Sequence, residues 1–282
     1  MDVNNPLSKF YNDPTTYVKL PTRGNFYKEK PNLSIDGDIG ILPMTAIDEM
    51  MFQSPDNLLN GESLFKVIGR CAPDVKNPKE IPTPDLDVIL AGIRIATYGD
   101  KMDVGAVCPN EECGHENEFQ VDLSALVAGV QFLEDTYSIE FSNGISCDVK
   151  PFTVQSSIMM SLYAIEIKKL QQSANTMDNS HQDQLIALIK QTLDKSSRHL
   201  IDMMTECVLR VSIPDADSVE NPAHIREWVS MLTARDYKAL RGKIEDISQI
   251  GMSKTTTAKC TKCNHMWETE IGVDPASFFD MR

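Results

Sequence analysis

The sequence predicts an α+β fold. A small antiparallel β subdomain of zinc-ribbon type is interrupted by a mainly helical insertion and preceded by N-terminal helices. Three observations carry this expectation. Two short Cys-to-Cys loops, Cys108 to Cys113 and Cys260 to Cys263, lie far apart and each runs into an alternating, strand-like segment. Ser142-Asn143-Gly144 sits between two alternating apolar runs, which is a strong short-range hairpin signal. Residues 153–250 carry apolar side chains at helical spacing. On this reading the chain divides into an extended segment 1–44, a helical segment 45–107, a ribbon-like subdomain built from 108–152 plus 252–282, and a helical insertion 153–251.

The two Cys loops echo each other. Cys108-Pro109-Asn110-Glu111-Glu112-Cys113-Gly114-His115 matches Cys260-Thr261-Lys262-Cys263-Asn264-His265 in ending on a turn residue and a His. Glu118 to Val121 and Trp267 to Ile271 then alternate as strands, and Val121-Asp122-Leu123 recurs loosely as Val273-Asp274-Pro275. Two facing half-sites would supply the thiolates of Cys108, Cys113, Cys260 and Cys263 to one tetrahedral Zn²⁺, a closed structural site. The first loop holds four residues between its cysteines where two is usual. The plainer alternative is a pair of reduced cysteine clusters packed as small hydrophobes. A disulfide framework fits less well, because nothing marks the chain as secreted. Zinc-deaminase chemistry fits poorly too. That pattern needs His-x-Glu and Pro-Cys-x-x-Cys, whereas Asn117 stands two places after His115 and Lys259 precedes Cys260.

Composition sets the outer bounds. A chain of 282 residues is long enough for a sizeable core, and its formal net charge is −14. That balance opposes non-specific binding to a phosphate backbone, which needs clustered Lys and Arg. Met1 to Asn5 show no signal-peptide pattern, and no apolar run approaches the roughly 20 residues of a membrane helix. The expected setting is a cytoplasm. Of the seven cysteines, Cys71, Cys147 and Cys207 read as buried apolar fillers.

From the start of the chain, Tyr17 to Leu20 alternates as a strand and stops at Pro21. Leu20-Pro21-Thr22-Arg23-Gly24-Asn25-Phe26-Tyr27 follows, with Arg23-Gly24 suited to a turn at positive φ and aromatics beside it. From physics alone a turn between two strands is the first reading; docking of a partner through Arg23, Gly24, Phe26 and Tyr27 is the second. Ser34 to Leu42 reads as an interrupted strand. Thr45 to Asp48 forms a capping box for a short helix through Phe52. Gly61 to Cys71 places Leu64, Val67, Ile68 and Cys71 on one helical face. Thr83 is a candidate N-cap with Pro84 at the first helical position, and Asp85 and Asp87 suit the positive end of the helix dipole. That helix stops at Gly99. Arg94, among apolar neighbours, is expected in a buried ion pair.

The 137–149 hairpin is expected to extend the ribbon sheet. Ile158, Leu162, Ile165 and Leu170 make one helical stripe that breaks near Gln171 to Asn175. Leu185, Ile189, Leu193, Leu200, Met204, Cys207 and Val211 make a second, stopping at Pro214 and predicting a helical hairpin. Met159, Met160, Met203 and Met204 lie on or beside these seams, as core or as an adaptable partner surface. Asn221-Pro222 opens a further helix, and Thr233 to Asp236 caps the last one. His181, His199 and His224 look solvated. Phosphate-binding, dinucleotide, HExxH and GxSxG signatures are absent from the sequence, so an enzyme is not expected.

The run Leu20 to Tyr27, then Met44 to Glu49, then Ile93-Arg94-Ile95-Ala96-Thr97-Tyr98-Gly99, closing on Cys108-Pro109 and Val121 to Leu123, resembles the baseplate protein family of T-even-like contractile-tailed phages. The resemblance spans mainly residues 17–126, with the C-terminal Cys loop as a second anchor. That family includes a baseplate hub component and a related hub assembly factor. The resemblance implies a non-catalytic structural role in the central hub of the tail baseplate, with other phage proteins as partners and assembly in the host cytoplasm. A hub-assembly chaperone absent from the virion, and a zinc-ribbon nucleic-acid adaptor, are the alternatives. Nucleic acid, membrane and small-molecule partners are otherwise not expected.

Overall fold

The computed structural model describes residues 13–52, 61–174, 182–272 and 278–279, the side chains of 174 and 182–185 excepted. The chain forms two compact units. One comprises residues 1–78, 84–133 and 250–282; the other comprises 79–83 and 134–249. Mixed helices and small antiparallel sheets give the α+β class that the sequence predicts.

In the first unit, β1 (Thr16–Lys19) and β2 (Asp38–Ile41) pair antiparallel, Val18 opposite Ile39. Both of those side chains are buried, as are Leu20 and Ile41. Only the second half of the Ser34–Leu42 stretch is strand; the Ser34 hydroxyl accepts from the N–H groups of Asp36 and Asp38 and holds the rest as a turn. Helix α1 (Ala46–Phe52) opens on the expected box, since Thr45 N–H donates to Asp48 Oδ2 at 2.7 Å. Asp48 also binds Arg70 at 2.5 Å. Helix α2 (Glu62–Cys71) buries Leu64, Val67, Ile68 and Cys71 as its spacing requires.

Helix α3 (Thr83–Tyr98) is the main strut of this unit, burying Val88, Ile89, Leu90 and Ile93. Gly92 lies where an added Cβ would stand 2.9 Å from Val18, so the helix packs closely on β1. Gly99, at φ 94°, ends it. One expectation on this helix needs correction and another an addition. Arg94 is buried, but among the described residues it forms no ion pair. Its guanidinium donates to the Phe278 carbonyl and lies over the rings of Tyr98 and Phe278. Asp85 and Asp87 act beyond the helix dipole: Asp87 pairs with Lys254 at 2.7 Å, and Asp85 is fully buried.

Two hairpins complete the unit. Strands β3 (Lys101–Val107) and β4 (Glu116–Asp122) pair along their full length, Lys101 opposite Asp122 and Val107 opposite Glu116. The Asp122 side chain then caps the short helix α4 (Leu123–Ala128) by accepting from Ala125 N–H. The second hairpin, β8 (Thr255–Lys259) with β9 (Met266–Glu270), is described with the site below. Val273-Asp274-Pro275, the expected echo of Val121 to Leu123, lies outside the described residues.

In the second unit, β5 (Tyr137–Glu140) and β6 (Ser146–Val149) form the expected hairpin around Gly144, which has φ 78°. Their sheet partner differs from expectation. Instead of joining the ribbon strands, β6 pairs with β7 (Val208–Ser212), Asp148 opposite Arg210. Arg210 binds Asp148 at 2.5 Å across that pair.

Helices α5 (Val154–Ala174) and α6 (Gln182–Cys207) run antiparallel as the predicted helical hairpin. Tyr163 packs on His199, and Thr192 donates to Glu166. His199 is therefore partly packed and not simply solvated. The second apolar stripe does not stay helical to Val211: α6 stops at Cys207 and the chain enters β7 directly. Met203 and Met204 are buried in the core, while Met159 and Met160 are half-buried. Helix α7 (Pro222–Met231) is capped by Asn221, and α8 (Ala234–Ser248) by Thr233. Trp228 meets Phe141 edge-on, with ring centroids 5.5 Å apart. The Thr83 hydroxyl, expected as a cap, donates to the Ser248 carbonyl.

Candidate metal centre

Each Cys loop is the tip of a hairpin. The first joins β3 to β4 and the second joins β8 to β9, so two short ribbons each end in a knuckle. The knuckles close alike. Cys108 N–H donates to the His115 carbonyl at 2.9 Å, and Cys260 N–H donates to the His265 carbonyl at 2.8 Å. Gly114 and Asn264 occupy the same left-handed conformation, at φ 52° and 60°. Glycine reaches that region without steric cost, and Asn is among the few other residues that enter it readily. The two extra residues of the first loop are absorbed by an Asn110 turn, in which its carbonyl accepts from Cys113 and Gly114 N–H and its side chain from Glu112 N–H.

The four sulfurs converge. All lie within 4.8 Å of one another, with Cys108 Sγ 3.7 Å from Cys263 Sγ and Cys113 Sγ 3.8 Å from Cys260 Sγ. A tetrahedral ion with Zn–S bonds of about 2.3 Å requires sulfurs about 3.8 Å apart. Two of the sulfur pairs stand at that spacing, and four soft donors this close can hold a metal ion. Cys108 and Cys260 are buried, Cys113 is half-buried and Cys263 is exposed.

Electrostatics distinguish the corners. Burial pushes the Cys108 thiol up to about 12, against the pull of the Asn110 N–H. Cys260 is also pushed up by burial. The N–H groups of Cys263 and Lys262 aim at its sulfur, and with the neighbouring thiols they bring it down to about 6. Cys260 is thus the thiol most ready to be a thiolate ligand, because the metal-binding form is the deprotonated one. By contrast, burial puts Cys71, Cys147 and Cys207 at or above about 12, which fits apolar fillers.

A family model described as T4 bacteriophage base plate protein matches residues 28–280. The chain belongs to that family. A phage baseplate protein, with a structural role and a place in the virion tail, is what this membership supports. Neither the curated proteins nor the solved structures give a significant match. No helix among the described residues is long and apolar enough to cross a membrane.

The Leu20–Tyr27 segment folds as two successive turns, with Arg23 N–H donating to the Leu20 carbonyl and Asn25 N–H to the Thr22 carbonyl. Arg23, Gly24 and Phe26 all have positive φ. Gly24 is buried, and an added Cβ would meet Leu33 and Pro31 at 3.2 Å. Tyr27 and Phe26 are half-buried. Arg23 alone of the four is exposed, its guanidinium 5.1 Å from the centre of the Phe132 ring. Phe132 borders a cleft of about 520 Å³ that Tyr17, Lys19, Ile95 and Val127 also line. The residue that fixes this segment escaped the sequence reading: Asp85 accepts from Thr22 N–H at 2.9 Å, from the Thr22 hydroxyl at 2.5 Å and from the Tyr27 hydroxyl at 2.8 Å. No local pattern links positions so far apart.

Proposed function

We propose that this baseplate protein is a non-catalytic structural subunit of the central hub of a contractile tail, held together by a structural Zn²⁺ at Cys108, Cys113, Cys260 and Cys263. The observation that carries the reading is the family match over residues 28–280, joined to four sulfurs within 4.8 Å of one another. Four protein thiolates fill a tetrahedral shell and leave no position for substrate or water, so the ion braces the fold. Function then rests on contacts with other phage proteins.

The Arg23 face is the surface we assign to those contacts. It joins an exposed guanidinium to Phe132 and Tyr17, which are 41 % and 60 % exposed. Arg and aromatic side chains are the groups that most often dominate protein interfaces. The net charge of −14 favours such partners over nucleic acid.

Quantitative mass spectrometry of purified virions and of assembly intermediates tests the role. A fixed ratio to other tail proteins in virions is the expected result. Abundance in intermediates with absence from virions would make the chain an assembly factor. Absence from both overturns the hub reading, and salt-sensitive binding to DNA or RNA would then favour an adaptor.

A further inference from the structure

The two knuckles close alike, with the same Cys N–H to His carbonyl bond, but they differ just beyond the His. Counting two residues past each His, the first knuckle has Asn117 on β4 and the second has Trp267 on β9. Trp267 stacks on its own His265, with centroids 6.2 Å apart. Asn117 instead turns inward and is 4 % exposed. Its carboxamide makes four contacts. The Oδ1 accepts from Thr261 N–H at 2.9 Å and from the Thr261 hydroxyl at 3.0 Å. The Nδ2 donates to the His115 carbonyl at 2.9 Å and to Cys260 Sγ at 3.7 Å.

These partners fix the orientation of the amide. A backbone N–H can only donate and a backbone carbonyl can only accept, so oxygen faces Thr261 and nitrogen faces His115. The whole capacity of the side chain, two donors and two acceptor lone pairs, is used. One amide therefore ties the turn of its own knuckle to the first loop residue of the other. It also points its remaining N–H at a ligand sulfur.

We propose that Asn117 is the positioning residue of the metal centre, setting the second knuckle against the first and donating an N–H···S hydrogen bond to Cys260. This rests on the metal reading above. A tetrathiolate shell around a divalent ion carries a net charge of −2, and a donor aimed at sulfur offsets part of it. Partners beyond the ligands orient them and tune the metal, and their loss commonly lowers affinity by about 10–100-fold.

The test uses the full chain loaded with Co²⁺ or Zn²⁺, in the wild type, Asn117→Asp, Asn117→Leu and Gln120→Ala. Asn117→Asp keeps the shape and the acceptor for Thr261 but has no N–H for sulfur. Gln120 lies on the same strand and is spent on Asp103, so Gln120→Ala serves as the control. Expected is a loss of affinity of about 10–100-fold in both Asn117 variants against a competing chelator. The sulfur-to-cobalt charge-transfer band should move to longer wavelength, because a thiolate without its donor is a better electron source. Gln120→Ala should match the wild type in both. Unchanged affinity and band in Asn117→Asp overturn the proposal. Weaker affinity with an unshifted band overturns the sulfur contact and leaves only a brace. A wild-type chain that takes up neither ion defeats the metal reading itself, a separate result.

Discussion

The Tyr27 hydroxyl donates to the Asp85 carboxylate at 2.8 Å, joining a surface turn to the first turn of a core helix. Thr22 adds two more donors to the same group. Among the described residues, Asp85 is held by hydrogen bonds alone, without a cation. Burial raises it from its ordinary value of 3.8 to about 6, although all three donors pull the other way.

That shift predicts a pH dependence. The folded chain holds the Asp85 proton more tightly than the unfolded one. Its contribution to stability is therefore complete below about pH 4 and lost as pH rises through about 6. A shift of about two units corresponds to at most roughly 3 kcal/mol. In denaturant titrations between pH 7 and 4.5, the wild type should gain stability relative to Asp85→Asn. Parallel curves for the two proteins would show that Asp85 does not titrate in this window.

Gly24→Ala should destabilise the monomer. The residue sits at φ 76° with Leu33 and Pro31 at contact distance, and a left-handed L-residue costs roughly 1–2 kcal/mol. A melt indistinguishable from the wild type would contradict the turn geometry.

Arg23→Ala should spare the monomer and weaken its association. Its contact with the Phe132 face is exposed and worth roughly 0.5–1 kcal/mol, so the melt should hardly move. Association with other baseplate proteins, read by sedimentation of assembly intermediates, should weaken at least about tenfold if this face carries a hot spot. A large fall in monomer stability with intact association would assign the arginine to the fold alone.

Cys263→Ser should abolish metal binding and lower the melting midpoint. Metal-coupled folding in small peptides amounts to roughly 10–16 kcal/mol, and a larger core reduces that share. If about 3 kcal/mol is lost here, the midpoint drops by roughly 6–12 °C. Chelator should produce a similar drop in the wild type and none in the variant. A wild-type melt indifferent to chelator would remove the clamp.

Elements written in short stretches were legible in the sequence. The capping boxes at Thr45 and Thr233, the Asn143-Gly144 hairpin and the matched Cys loops each depend on residues within a few positions. Features set by distant partners were not. Strand β3 contains Gly105 and Ala106, small residues that blur alternation, and becomes a strand by pairing with β4. Strand β7 carries on the helical spacing of the stripe before it, so only pairing with β6 shows where helix gives way to strand. Arg94 was expected beside a carboxylate because a buried charge needs a partner; a carbonyl and two ring faces serve instead. In the sequence Asn117 stands only as a departure from a catalytic pattern. Its use as a tie depends on Thr261, 144 residues later.

The separation of the knuckles also orders events during synthesis. Cys113 leaves the ribosome 147 residues before Cys260. At about 5–20 residues per second, the first pair of thiols waits roughly 7–30 s for the second. The four-sulfur shell can close only after the intervening second unit has been translated. Bound metal would therefore mark chains translated past Cys263, and a product truncated before residue 260 would present two unpartnered thiols to the cell's quality control.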